Sequence, residues 1–159
     1  MKKKFEFEYD SCTIEEMDEQ QGTLIHHAID ATHTSYAPYS GFNVGCAILL
    51  MDGTVIKGSN MENAAYSSTI CAERTALSAL HNSKNSSSIL KIAITFSSES
   101  ITNNDIIAPC GECRQVIAEF ASKQAETIEI ILYTNDEKII LIKDSADLLP
   151  FFFGSKNLK

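Results

Sequence analysis

Pro109-Cys110-Gly111-Glu112-Cys113-Arg114-Gln115-Val116, read with Thr69-Ile70-Cys71-Ala72-Glu73-Arg74-Thr75-Ala76 earlier in the chain, decides the fold. Each segment reads as a loop running into a helix, and each loop delivers cysteine to the helix start. Cys71, Cys110 and Cys113 supply three thiolates, and three protein ligands leave zinc a position for water, which marks a catalytic rather than a structural site. Glu73, two residues past the first ligand, is close enough to handle that water's protons without binding the metal. A helix start presents free N–H groups and a partial positive charge, so all three cysteines are expected to be lowered in pKa. Three thiolates leave a zinc ion with one net negative charge. A compensating cation is therefore expected, and Arg74 and Arg114 are both placed to hydrogen-bond a ligand sulfur. The plainer reading is a structural zinc knot with Cys12, Cys46 or a histidine as fourth ligand, or a disulfide.

Working outward, Phe5, Phe7 and Tyr9 alternate with charged residues and read as a short edge strand or an N-terminal arm. Thr13 to about Ser35 reads as one helix, with Thr13 as cap, Glu16 three residues on, and Met17, Leu24, Ala28 and Ala31 at helical spacing. Phe42 to Met51, the turn Asp52-Gly53, and Thr54 to Ser59 form a hairpin. Asn60 to Thr69 is polar and irregular. Helices are expected from Cys71 to about His81 and from Gly111 to Lys123. Leu90 to Phe96 is a nearly continuous apolar run, hence a central strand. Ser97 to Ala108 is a polar loop. Ile128 to Tyr133 and Lys138 to Ile142 are strands, and Asp144 to Leu149 is a short helix. One mixed sheet covered by helices is the simplest assembly, and no repeat or linker divides the chain.

The 159 residues suit one domain spanning 1–159, with residues 1–12 an arm or strand of unknown role. Hydrophobic residues make up 44%, enough for a sizeable core. Thirteen basic residues against 21 acidic give a net charge of -8, which argues against an electrostatic grip on nucleic acid or an anionic membrane. Apolar runs are too short to span a bilayer, and the start Met1-Lys2-Lys3-Lys4 is followed by acids where a signal peptide needs an apolar segment. A cytoplasmic protein is expected. Five cysteines in a reducing compartment favour metal ligands and spare thiols over a disulfide framework.

At these residues the chain resembles the small, homotetrameric, zinc-dependent cytidine deaminases. The two cysteine segments match that family's zinc motifs, in the variant where cysteine replaces the usual histidine as first ligand. Tyr36-Ala37-Pro38-Tyr39-Ser40-Gly41-Phe42-Asn43-Val44-Gly45 resembles its tyrosine-proline segment, and Asn60-Met61-Glu62-Asn63-Ala64-Ala65-Tyr66 its ribose-binding loop. Leu148-Leu149-Pro150 followed by Phe153-Gly154 resembles its C-terminal signature. The resemblance implies a three-layer α/β/α sandwich with a mixed central sheet of about five strands. It implies one Zn²⁺ per chain, held by Cys71, Cys110 and Cys113, and a nucleoside substrate deaminated hydrolytically in pyrimidine salvage. Glu73 would shuttle protons, and the Ala72 backbone would contact the base. Phe42 would pack on the pyrimidine, Asn60 and Glu62 would hold the ribose, and Arg74 would neutralise thiolates. Tyr66 would lie at a subunit boundary, and Phe153 would reach a neighbouring subunit's substrate in a homotetramer. Read without the resemblance, Phe42 is ordinary core, and Asn60 and Glu62 are solvated loop residues.

The chain departs from the family pattern at three places. Glu112 stands where a small residue is common, Phe151 and Phe152 replace smaller residues, and the stretch before Thr13 is longer than a minimal member needs. Two rival readings share parts of this pattern: a deaminase of another nucleoside, and a nucleic-acid editor or dead module. A deaminase of another aminated nucleoside, such as blasticidin S, shares the zinc segments, but Asn60 and Glu62 favour free ribose hydroxyls. A nucleic-acid editing deaminase should carry a basic groove, against this acidic balance. A catalytically dead binding module should have lost Glu73 or a ligand, and all four residues are present.

Overall fold

The structure, a computed structural model, describes residues 1–98, 106–134 and 138–158. Among these, six strands form one mixed sheet: β1 Asp10–Cys12, β2 Asn43–Leu50, β3 Val55–Ser59, β4 Ile89–Ser97, β5 Glu129–Tyr133 and β6 Ile139–Ile142. Their order is β1-β6-β5-β4-β2-β3. β4 and β5 are parallel, and every other neighbouring pair is antiparallel. The apolar run expected to be central is central, since β4 has β2 on one side and β5 on the other. The polar loop expected over 97–108 lies largely outside the described residues.

Strand alternation builds the layers. Cys46, Ile48 and Leu50 of β2, Ile92 and Ile94 of β4, and Ile130 and Leu132 of β5 share one face. Against them pack helix α2 (Ala72–Ser83) through Ala76, Leu77 and Leu80, and helix α3 (Gly111–Ala121) through Ile117. Ala47, Leu49, Ala93 and Ile131 face the other way, onto Leu24, Ile25 and Ala28 of helix α1 (Glu19–Thr32). The result is the α/β/α sandwich, with a sheet of six strands rather than about five. The extra strand is β1, which pairs Asp10 with Leu141 and Cys12 with Ile139 on the outer edge of β6. The alternating Phe5, Phe7 and Tyr9 precede that strand rather than forming it.

The single helix expected from Thr13 is two elements. The Thr13–Glu16 capping box closes only a one-turn 3₁₀ helix, Ile14–Glu16. Met17 is extended, and Asp18 then caps α1 by accepting from the Gln21 amide at 2.7 Å. Two start signals sit back to back, and the second is continuous with the apolar face that reaches the sheet. The expected helix near Asp144 is a 3₁₀ turn, Ser145–Leu148.

Two glycines set how closely the helices approach the sheet. A Cβ on Gly45 would lie 2.0 Å from the Ala28 carbonyl oxygen of α1. One on Gly58 would lie 2.4 Å from the Ala76 nitrogen and 2.6 Å from the Ala72 oxygen of α2. The second contact seats the first turns of α2, which carry Glu73, directly on β3.

Candidate active site

Register gathers the site at one end of the sheet. Gly45 pairs with Ser59 and Asn43 with Ser97, so the start of β2, the end of β3 and the end of β4 lie together. Phe42 enters β2 there, and Asn60 to Glu62 leave β3 there. Both α2 and α3 begin at this end, which is where open α/β sheets place their ligands.

Cys71 is the N-cap of α2 and Cys110 the N-cap of α3; Cys113 follows in the first turn of α3. Their three Sγ atoms lie within 4.8 Å of one another. Cys71 and Cys110 are 3.8 Å apart, and Cys110 and Cys113 are 3.5 Å apart. Four Zn–S bonds of about 2.3 Å at tetrahedral angles space sulfurs about 3.8 Å apart, so the donor set fits zinc. No fourth cysteine or histidine joins the group among the described residues: Cys46 is buried in β2, and the cluster comprises Cys71, Cys110 and Cys113 alone. The structural-knot reading therefore lacks its fourth ligand. All five cysteines are free thiols, so no disulfide joins the cluster. Cys71 is lowered to about 7, chiefly by the hydrogen bond from Cys113, with the Arg74 charge assisting. Cys113 moves the opposite way, raised first by that same hydrogen bond and then by burial. The lowering expected of all three cysteines is thus found at Cys71 and not at Cys113.

Glu73 is only 4% exposed, and burial raises its pKa. Its charge also raises the Cys71 and Cys113 thiols, which places the carboxylate beside the cluster. Arg74, expected to bond a ligand sulfur, bonds Glu112 at 2.5 Å instead. The extra negative charge of Glu112 is met by that pairing. Arg114 likewise makes no bond to sulfur among the described contacts; it donates to the Pro109 and Leu148 carbonyls at 2.8 and 3.1 Å.

A cavity of about 260 Å³ is lined by Phe42, Asn60, Glu62, Cys71, Glu73 and Cys110, among others. The structure thus brings together the residues named for metal, proton transfer, base and ribose. A larger cavity of about 700 Å³ lies between α1 and the β2–β3 hairpin. It gathers no cluster of metal ligands, so the chemistry selects the smaller one. Phe42 stacks on Phe96, with ring centres 5.2 Å apart. Asn60 is 8% exposed, not a solvated loop residue. Its Oδ1 accepts from the Ser35 hydroxyl at 2.6 Å and the Val44 amide at 2.7 Å, and its Nδ2 donates to the Phe42 carbonyl at 2.8 Å. One Nδ2 hydrogen remains for a ligand. Glu62 Oε2 accepts from the Tyr39 and Ser40 amides, and these bonds, with the Ser40 hydroxyl foremost, lower its pKa. Glu62 also lines the cavity, where its carboxylate can meet a ligand.

Ala72 is fully buried at the first position of α2, and its side chain does not line the cavity. Tyr66 is exposed, edge-on to Tyr39 at 6.1 Å. Phe153 is 59% exposed and lies outside the lining of this cavity. Sequence reasoning missed Ser35, Ser40 and Phe96 as the residues that hold Asn60, Glu62 and Phe42. Ser40 alone carried a signal, inside the segment leading to Phe42.

The chain matches the family described as cytidine and deoxycytidylate deaminase zinc-binding region over residues 18–128, beginning at the cap of α1. It is 37% identical over 142 residues to the cytidine deaminase of Halalkalibacterium halodurans, covering 89% of this chain and 98% of that one. It is 39% identical over 136 residues to that of Sporosarcina psychrophila, covering 85% and 92%. The crystal structure of the cytidine deaminase from Burkholderia pseudomallei superposes with a TM-score of 0.73 at 36% identity, over 86% of this chain and 100% of that one. With its fold, its thiol cluster and its buried glutamate in the matching order, the chain belongs to the cytidine and deoxycytidylate deaminase family.

Proposed function

We propose that this chain, acting as one domain, is a zinc-dependent cytidine deaminase that converts cytidine and deoxycytidine, with water, to uridine and deoxyuridine plus ammonia. The observation that carries the reading is one cavity shared by Cys71, Cys110, Glu73, Asn60 and Glu62. Cys71, Cys110 and Cys113 hold one zinc ion per chain, and when bound it supplies Lewis acidity that makes water acidic near neutral pH. Glu73 takes a proton from the attacking water and gives it to N3 of the ring. It then takes the remaining proton of the hydroxyl added at C4 and delivers it to the departing amine, so that ammonia leaves and C4 becomes a carbonyl. Burial raises the pKa of this carboxylate, which favours its taking up the proton it passes on. Phe42 packs on the pyrimidine, and the Ala72 backbone contacts it. Asn60 donates its remaining hydrogen to a ribose hydroxyl, and Glu62 accepts from one. Arg74, fixed by Glu112, offsets the charge of the thiolates.

Phe153 completes the pocket of a neighbouring subunit in a homotetramer, with Tyr66 at a subunit boundary. The exposure of Phe151, Phe152 and Phe153 supports an intersubunit role for this tail. The protein acts in the cytoplasm on salvaged nucleosides and needs no nucleic-acid or membrane partner. No described helix is long and apolar enough to cross a membrane. Product analysis with cytidine, deoxycytidine, cytosine and dCMP tests the reading. Both nucleosides should be deaminated, and cytosine should be poor because Asn60 and Glu62 would then lack partners, at about 1 to 3 kcal/mol each. Comparable efficiency on cytosine contradicts the ribose assignments, and efficient use of dCMP redirects the reading to nucleotides.

A further inference from the structure

The C-terminal turn is held by its backbone while its rings stay out of the core. Arg114 donates to the Leu148 carbonyl at 3.1 Å, and Gln115 Nε2 donates to the Phe153 carbonyl at 2.7 Å. Two adjacent residues of α3, directly after the ligand Cys113, thus hold both ends of the turn. Between them Phe151 takes a left-handed backbone, φ 59°, which costs a non-glycine residue of order 1 to 3 kcal/mol and persists only where the surroundings enforce it. The Phe152 ring lies over Gly154, where a Cβ would meet it at 2.7 Å. Beyond it, the Asn157 side chain accepts from the Gly154 amide at 2.9 Å and closes a last 3₁₀ turn. A tail that merely trailed into solvent would need none of these contacts. A tail seeking its own core would not leave Phe153 59% exposed and Phe151 wholly so.

We propose that Gln115 is a positioning residue: its side-chain amide latches the C-terminal turn to α3, so that the Phe153 ring is presented outward at a fixed place. The consequence for substrate rests on the reading that Phe153 completes a neighbour's pocket. The latch itself is local to this chain. Because Gln115 follows Cys113 by two residues, the helix start that carries the metal ligands also sets the tail.

Gln115→Leu keeps the bulk and removes the donor. Hydrogen exchange of the backbone amides of residues 151–158 should speed up. The KM for cytidine should rise about three- to tenfold, the effect of one lost hydrogen bond, while kcat and zinc content stay within about twofold. Gln115→Lys restores a donor of similar reach and should bring KM back toward the parent. Gly154→Ala reaches the same end by another route, displacing the Phe152 ring, and should raise KM with zinc retained. Unchanged tail exchange in Gln115→Leu overturns the latch. So does a KM rise that Gln115→Lys fails to reverse, because the hydrogen bond is then not the cause. Phe153→Ala reports separately on the shared pocket. If it leaves KM unchanged while Gln115→Leu still loosens the tail, the latch stands and the shared pocket falls.

Discussion

Asn60 and Glu62 sit two positions apart and do different work. Asn60 is buried and holds three groups from Ser35, Phe42 and Val44, whereas Glu62 holds two amides with one oxygen and lines the cavity. Asn60→Ala should therefore lower thermal stability, by about 1 to 3 kcal/mol for each buried group left unpaired, as well as raise KM. Glu62→Gln keeps the loop bonds and loses only the charge. It should raise KM about tenfold, the gap between charged and neutral hydrogen bonds, with an unchanged melting temperature. Equal loss of stability in both variants would refute the division. Sequence marked both residues through the loop they belong to, and it marked the cysteines and Glu73 through their spacing. The structural half of Asn60's role was illegible, because Ser35 and Val44 are distant in sequence and a polar loop reads as solvated. Arg74 was expected to bond a ligand sulfur, whereas its partner Glu112 sits on another helix, and no local pattern joins them.

Among the elements, the nearly unbroken apolar run from Leu90 to Phe96 revealed the central strand, and the helix read from Cys71 is α2, with Cys71 as its cap. The Thr13 capping box, by contrast, masked the true cap at Asp18, because a second start signal follows within one turn. Close approach was equally hidden: Gly58 looks like any strand glycine until α2 is laid on it. Gly58→Ala must push Ala72 and Ala76 away from β3. It should cost about 1 to 3 kcal/mol in chemical denaturation, and because Glu73 rides on the same turn, kcat should fall with it. Parent-like stability and kcat would show that α2 can yield. At the other edge, β1 covers β6, whose unpaired backbone would otherwise recruit other chains. Deleting residues 1–12 should leave the metal site intact but promote aggregation visible by light scattering. A dispersed, equally stable truncated protein would deny β1 that protective role.

At the scale of the whole molecule, the α/β/α order follows from strands whose two faces are both apolar. Such strands demand helices on each side. The sixth strand escaped the sequence reading because Asp10-Ser11-Cys12 is short and polar, and its pairing partner lies at the far end of the chain. The exposed aromatic tail points to assembly. Phe153→Ala should weaken the homotetramer proposed above and raise KM together, and truncation after Leu149 should do both more severely. Sedimentation at assay concentration checks this, and a fully active monomer would contradict it.

The central claim joins the thiol cluster to the buried carboxylate beside it. It is tested most directly by measuring zinc content and cytidine turnover in Glu73→Gln. The account predicts about one zinc per chain, as in the parent, with turnover lower by at least about 10², the lower bound for a general acid–base group. A variant that keeps its zinc and a tenth or more of the parent turnover, about 10⁻¹ on that same scale, would contradict it.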